Sequence, residues 1–340
     1  MLTALRHQII EQRFVPLLVT LLVSAASSPL CWAQTQVAIA SAYPADSFQT
    51  KNLQQFADEV NGQLGQSLKL TIHPNGQLAK PAEIYPQAKE GKIGGGEVIM
   101  SSLEKFAPIY GIDSIPFTVR GYDDAKRLWR YSRAAIDAQM QKDGLKLLYA
   151  VPWPPQNLYT TQKLDKVSDA RGLKMRTYNP ATEKIAEFIG AKSVLFQVVE
   201  LEKAIAEEKL DLMITSSWTG VQTKAWSKLR YYYPVNAWIP KNVVFIRAST
   251  FNQLPKDSAE KLMRLAQAAE DRGWSLSQLQ DKEFEDLLKQ NKVTLVKDMP
   301  YLLDEFRRLG EKMSREWLRK SGQDGLDALM HYELDRFQKR

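Results

Sequence analysis

The order of hydrophobic patterns constrains this chain more than any other feature. Apolar runs of strand length alternate with stretches whose apolar residues recur at helical spacing, and the alternation occurs twice. The first pass begins with a strand over 37–42 and a helix carrying Phe48, Leu53, Phe56, Val60 and Leu64, closed by Gly65. Strands over 68–72, 97–100 and 145–151 follow, with helices over 83–89 and 123–142 between them. After the rigid crossing Trp153-Pro154-Pro155 the pattern restarts. Strands are expected over 157–161, 172–177, 193–196 and 210–214, and a helix over 200–207. Asn179 as N-cap and Pro180 at the first helical position open a further helix that runs to Ile189. Strand–helix–strand alternation of this kind predicts two α/β lobes on largely parallel sheets.

The tail differs. No proline occurs between Pro255 and Pro300, and Ala259, Leu262, Leu265, Ala266 and Ala269 form an apolar helical stripe. Trp274, Leu276, Leu279, Phe284, Leu287 and Leu288 continue it past Gly273, giving a helix long enough to cross a domain or bridge two. Further helices are expected over 302–319 and 324–338.

Composition supports a packed fold and narrows the chemistry. Of 340 residues 44% are hydrophobic and 25% charged, the balance of a globular protein with room for two domains. Cys31 is the single cysteine, and the histidines are His7, His73 and His331. That stock excludes a thiolate zinc site, an iron–sulfur cluster and a disulfide framework, and neither metal nor cofactor is expected. The net charge of +7 is spread among acids, without the clustered basic and aromatic footprint of a nucleic-acid binder. Mild basicity favours an anionic small molecule.

Residues 1–33 have the order of a secretory signal peptide. Arg6, His7 and Arg13 precede an apolar run over 14–26, then Ser27-Ser28-Pro29, then small residues around a cut after Ala33. The apolar run is shorter than the ~20 residues a spanning helix needs. Lipidation of Cys31 is a weaker alternative, because bulky Leu30 precedes it. The cleaved chain would be an exported soluble protein without cysteine.

Enzyme signatures are absent: no Gly-x-Ser-x-Gly elbow, no Gly-x4-Gly-Lys loop, and a glycine run, Gly94-Gly95-Gly96, without dinucleotide spacing. His73 stands alone. The positive signal is Arg176 with Asn179-Pro180, a guanidinium at a strand end beside a helix N-terminus, which suits a carboxylate; a surface arginine paired with a helix acid is an equal alternative on spacing alone. Trp153, Tyr159, Trp218 and Trp238 lie at strand ends or turns, where they would wall a pocket or pack between lobes. Trp129 reads as helix core.

The chain resembles the extracytoplasmic solute-binding proteins of TRAP transporters, the DctP-like family. The matching stretches are Ala42-Tyr43-Pro44-Ala45-Asp46-Ser47-Phe48, Ile115-Pro116-Phe117, Gly172-Leu173-Lys174-Met175-Arg176 with Asn179-Pro180, Asp211-Leu212-Met213-Ile214-Thr215 and Pro240-Lys241-Asn242. The resemblance implies a two-lobed periplasmic binding-protein fold of class II type with a long hinge-spanning C-terminal helix. It implies lobes over 34–152 with 240–285 and over 153–239 with 286–340. It also implies a receptor, not an enzyme, that closes on an organic acid and hands it to the small and large membrane subunits of a sodium-coupled permease. In that reading Arg176 pairs with the ligand carboxylate, and Thr215 or Ser216 supplies a polar contact. The loop from Tyr43 to Phe48 contributes from the first lobe, and Asn179, Trp153, Trp218 and Trp238 complete the site. Many relatives carry a second arginine where this chain has Gln156, so a monocarboxylate with an apolar or aromatic body is expected. Glu97 is a candidate for a ligand amine or hydroxyl, with a capping or surface acid as the plainer role. An exported enzyme acting on a small organic acid is the functional alternative, and an adaptor binding only proteins a third.

Overall fold

The computed structural model describes residues 34–338. The targeting segment expected over 1–33, Cys31 included, lies outside the described residues. One lobe begins with β1 (Thr35–Ser41), α1 (Phe48–Leu64), β2 (Leu68–His73), α2 (Ile84–Lys89), β3 (Gly95–Ile99), α3 (Tyr122–Lys142) and β4 (Leu145–Pro152). The chain then crosses into β5 (Gln156–Thr160), β6 (Lys174–Thr177), α4 (Pro180–Ile189), β7 (Lys192–Leu195), α5 (Val198–Ala206), β8 (Leu212–Ser216), α6 (Ser217–Gln222) and β9 (Tyr231–Tyr233). It returns through β10 (Lys241–Arg247) and α7 (Ala248–Asn252), and ends with α8 (Lys256–Gln290), β11 (Thr294–Leu295) and α9 (Pro300–Gln338).

Two sheets result, ordered β2-β1-β3-β10-β4 and β11-β9-β5-β8-β6-β7. The expectation of largely parallel sheets needs one correction in each. β10 runs antiparallel to both β3 and β4, and β5 antiparallel to both β8 and β9. These are the two strands by which the chain enters a lobe after crossing from the other, so each meets its sheet from the opposite end. Both are buried along almost their whole length, as central strands covered on two faces must be.

Local signals account for the helices. Ser47 accepts a hydrogen bond from the Thr50 N–H (3.1 Å) and starts α1. Its buried face, Leu53, Phe56, Ala57, Val60 and Leu64, packs on β2 and α8. The glycine run that opens β3 answers to packing. A Cβ on Gly95 would lie 2.4 Å from the Phe245 carbonyl oxygen, and one on Gly96 2.2 Å from Ile84 Cγ2.

The apolar stripe of the proline-free stretch forms a single helix, which ends at Gln290. α8 has 35 residues, about 52 Å at the helical rise. Its first half lies on α1 and β4, with Gly273 so close to Val151 that a Cβ there would come within 2.6 Å. Farther along, α6 packs on it and Leu288 joins the second-lobe cluster of Tyr159, Leu201, Met213 and Tyr232. α9 carries a break at Gly322 (φ 66°, ψ −167°), so the two tail helices expected from the sequence are its two arms. Among the described residues no helix is long and apolar enough to cross a membrane.

Candidate functional site

The lobes meet around a cavity of about 330 Å3. At its inner end stands Arg176, third residue of β6 and only 4% exposed. Its Nε donates to the Phe196 carbonyl (3.0 Å), and its guanidinium carbon lies 4.2 Å from the centre of the Tyr178 ring. Among the described residues it forms no ion pair. Burial pulls its pKa down to about 10, which the Tyr178 and Tyr43 phenols oppose, so it is still a cation at neutral pH.

The helix beside Arg176 starts as the sequence predicts, with Asn179 as N-cap and Pro180 first. Most of the N–H groups there, which the sequence reading leaves free for an anion, are already bonded. Asn179 Oδ1 accepts from the Thr182 N–H (2.9 Å), while Thr182 Oγ1 accepts from the N–H groups of Tyr178 (3.0 Å) and Asn179 (3.2 Å). Pro180 has none to give. The charged handle for a carboxylate is the guanidinium.

Most other polar tips around the cavity are occupied by the protein. Asn179 Nδ2 donates across the lobes to Ser101 Oγ (2.8 Å). Gln156 Nε2 donates to the Pro154 carbonyl (2.9 Å), and its Oε1 accepts from the Tyr178 hydroxyl (3.1 Å). The Trp153 indole donates to Asn242 Oδ1 (2.7 Å), and the Tyr85 hydroxyl to Asp143 Oδ2 (2.8 Å). These aromatics line the cavity with their hydroxyl and indole N–H groups already engaged. Thr215 differs: it lines the cavity, and its hydroxyl has no hydrogen-bond partner among the described residues. No group of three His, Cys, Asp or Glu side chains among the described residues is placed to hold a metal ion.

Sequence and fold match a known family. The model of bacterial extracellular solute-binding proteins, family 7 (DctP), matches residues 39–320. The chain belongs to that family, the extracytoplasmic solute receptors of TRAP transporters. A Bordetella pertussis receptor, DctP6, described as binding pyroglutamic acid, is 33% identical, with a TM-score of 0.85 over 88% of this chain and 99% of that one. A TRAP solute-binding protein from a marine metagenome, described as specific for pyroglutamate, is 31% identical with the same coverage and TM-score. An uncharacterized Haemophilus influenzae protein is 21% identical over 69% of this chain and 72% of its own length. The family and these structural neighbours are substrate-binding receptors, not enzymes.

In this TRAP receptor the cavity brings together Tyr43, Trp153, Gln156, Arg176, Asn179 and Thr215 from the set expected in the sequence. Five others stand one layer back. Phe48 and Trp218 pack edge-on against Trp153, at centroid distances of 6.0 and 5.2 Å. Ser216 caps α6, accepting from the Thr219 N–H (3.1 Å). Trp238 is wholly buried, and its carbonyl accepts from the Gln156 N–H (2.8 Å). Glu97 is neither a cavity group nor a surface acid: it is 1% exposed and accepts from Ser41 Oγ (2.6 Å) and Asn242 Nδ2 (3.1 Å). Burial pushes its pKa up and those two hydrogen bonds pull it down.

Three wall residues escape the sequence reading. Tyr178 sits between Arg176 and Asn179, and spacing along that loop was enough to find it. Tyr85 and Phe106, ring centroids 5.3 Å apart, form the first-lobe wall opposite Leu195 and Val198. They come from a six-residue helix and a loop, segments too short to show a periodicity.

Proposed function

We propose that this receptor binds a small monocarboxylate, its carboxylate on the free edge of Arg176 and its body against the faces of Tyr43, Tyr85, Trp153 and Tyr178. The observation that carries this reading is Arg176 itself, a buried cation without a carboxylate partner, facing a cavity. An uncompensated buried charge is costly, and a ligand carboxylate in bidentate contact compensates it. A second carboxylate finds no further buried cation there, because Gln156 is neutral and already bonded to Pro154 and Tyr178, and the other cation of the lining, Lys105, is exposed. Thr215 is the natural contact for one further polar group of the ligand.

Pyroglutamate has this chemistry: one carboxylate, a small ring and one lactam. It is also what relatives 31–33% identical are described as binding, so it is the first probe. The ligand bridges groups of both lobes and so favours the closed arrangement over the open one. The crossings at 153–155 and 234–240 are the hinge. After cleavage at residue 33 the receptor works in the periplasm and delivers its ligand to the two membrane subunits of a sodium-coupled TRAP permease.

The test is thermal unfolding of the mature chain against a panel of organic acids headed by pyroglutamate. A ligand at 100 times its Kd adds about 2.7 kcal/mol to stability. The reading fails if Arg176→Ala is stabilised as much as the wild type, or if a dicarboxylate binds tighter than its monoacid analogue.

A further inference from the structure

We propose that Glu97 and Asn242 act together as positioning residues, a hydrogen-bonded relay that holds the Trp153 indole in the pose the ligand cavity requires. The proposal rests on the ligand reading above and gives Glu97 a role without contact with the ligand. Ser41, Glu97 and Asn242 lie on the adjacent strands β1, β3 and β10, with Ser41 in register with Glu97. All three are buried, and so is Trp153. An indole N–H only donates, so the Asn242 carbonyl must face Trp153 and its amide nitrogen must face Glu97. Glu97 accepts that N–H on one oxygen and the Ser41 hydroxyl on the other. No cation pairs with Glu97 among the described residues, so it holds its place by these two hydrogen bonds alone. A buried carboxyl is an expensive way to fill space, and this one terminates a chain whose far end is a cavity wall.

Trp153 is where such control matters. Its ring centroid is 5.2 Å from Tyr43 in one lobe and 5.2 Å from Trp218 in the other. Its backbone N–H donates to the Pro240 carbonyl (2.8 Å), tying the two crossings together beside Asn242. A turn of the indole therefore moves the cavity wall and the seam between the lobes at once.

The test exchanges the two polar groups. Asn242→Asp sets two carboxylates face to face, breaks the relay and should weaken pyroglutamate binding about tenfold, the worth of one buried hydrogen bond. Acid that supplies a shared proton should relieve the loss. Adding Glu97→Gln to that variant returns an N–H between the two positions and should restore wild-type affinity. Glu97→Gln alone should be mild, because the Ser41 hydroxyl can turn toward Thr50 Oγ1, 3.4 Å away. The Trp153 indole N–H resonance, identified by its loss in Trp153→Phe, should shift in Asn242→Asp and return in the double variant.

A double variant that binds no better than Asn242→Asp, or whose indole resonance stays displaced, overturns the relay. If Asn242→Asp does not fold, Trp153→Phe decides: it keeps a ring and removes the donor, and wild-type affinity there also overturns the relay. The indole resonance is read without ligand. Wild-type protein that ignores pyroglutamate therefore counts against the ligand reading, and an unmoved indole against the relay.

Discussion

Lys241 and Arg176 are both buried cations, and the fold treats them in opposite ways. Lys241, the first residue of β10, is 1% exposed and lies 3.3 Å from Asp113, which also accepts its backbone N–H (2.8 Å). Its ammonium sits 5.8 Å from the Trp129 ring centre, and Ser114 donates to the other Asp113 oxygen. Every charge there has a partner inside the protein. Among the described residues Arg176 has a ring face and one carbonyl, and no acid. The paired cation belongs to the architecture and fastens the returning crossing to the first lobe. The unpaired one is left incomplete for something that arrives from solution.

The largest effect should come from breaking the complete site. Lys241→Met leaves the buried Asp113 carboxylate without a counter-charge, and should cost about 3–5 kcal/mol in urea unfolding. Adding Asp113→Asn should recover much of that loss. A Lys241→Met protein as stable as the wild type would remove the contrast.

Arg176→Met should do the reverse. Ligand binding should weaken by roughly a hundredfold, as two charge-assisted hydrogen bonds are lost. The unliganded protein should stay within about 1 kcal/mol of wild type, because no internal ion pair is broken. Calorimetric titration beside urea unfolding separates the two, and a large stability loss would make Arg176 structural.

Asp281 extends the comparison to a half-buried carboxylate with no cation partner among the described residues. It accepts from Ser217 Oγ (2.7 Å), and burial pushes its pKa from 3.8 up to about 6, with nearby Glu285 adding to the rise. A raised carboxyl pKa means the folded state holds a proton that the unfolded chain releases. Stability should therefore fall as pH climbs from about 4 to about 6, by up to about 3 kcal/mol. Asp281→Asn should flatten that slope, and an unchanged slope across this window would refute the assignment.

The smallest effect should be at Thr215. Thr215→Val keeps the shape and removes a hydroxyl without a partner among the described residues, costing about 1 kcal/mol of affinity for a ligand with a second polar group. A ligand without such a group should bind the variant unchanged in the same titration.

How much of this was legible in the sequence depends on the range of the signal. The start of α4 at Pro180 and the end of α1 at Leu64 were readable because caps and apolar stripes act within a turn or two. The break inside α9 was readable as two separate stripes. β9 and β10 went unread, since their pattern becomes a strand only where neighbouring strands accept it. In the site, Arg176, Asn179 and Thr215 stood out by motif. Tyr85 and Phe106 did not, because nothing near them in sequence marks which way their rings face.

The sequence by itself determined the alternation of strands and helices, the single long helix and the presence of one arginine at the end of a strand beside a helix cap. Those follow from local propensity and hydrophobic period. Only the tertiary structure decided which groups are spent and which are free. Whether Asn179, Gln156 and Trp153 offer polar atoms to a ligand depends on Ser101, Tyr178 and Asn242, and two of those partners lie 78 and 89 residues away. Hydrogen bonds between distant strands are set by sheet order and crossing geometry. Those same bonds leave the Arg176 guanidinium edge and the Thr215 hydroxyl without a partner among the described residues.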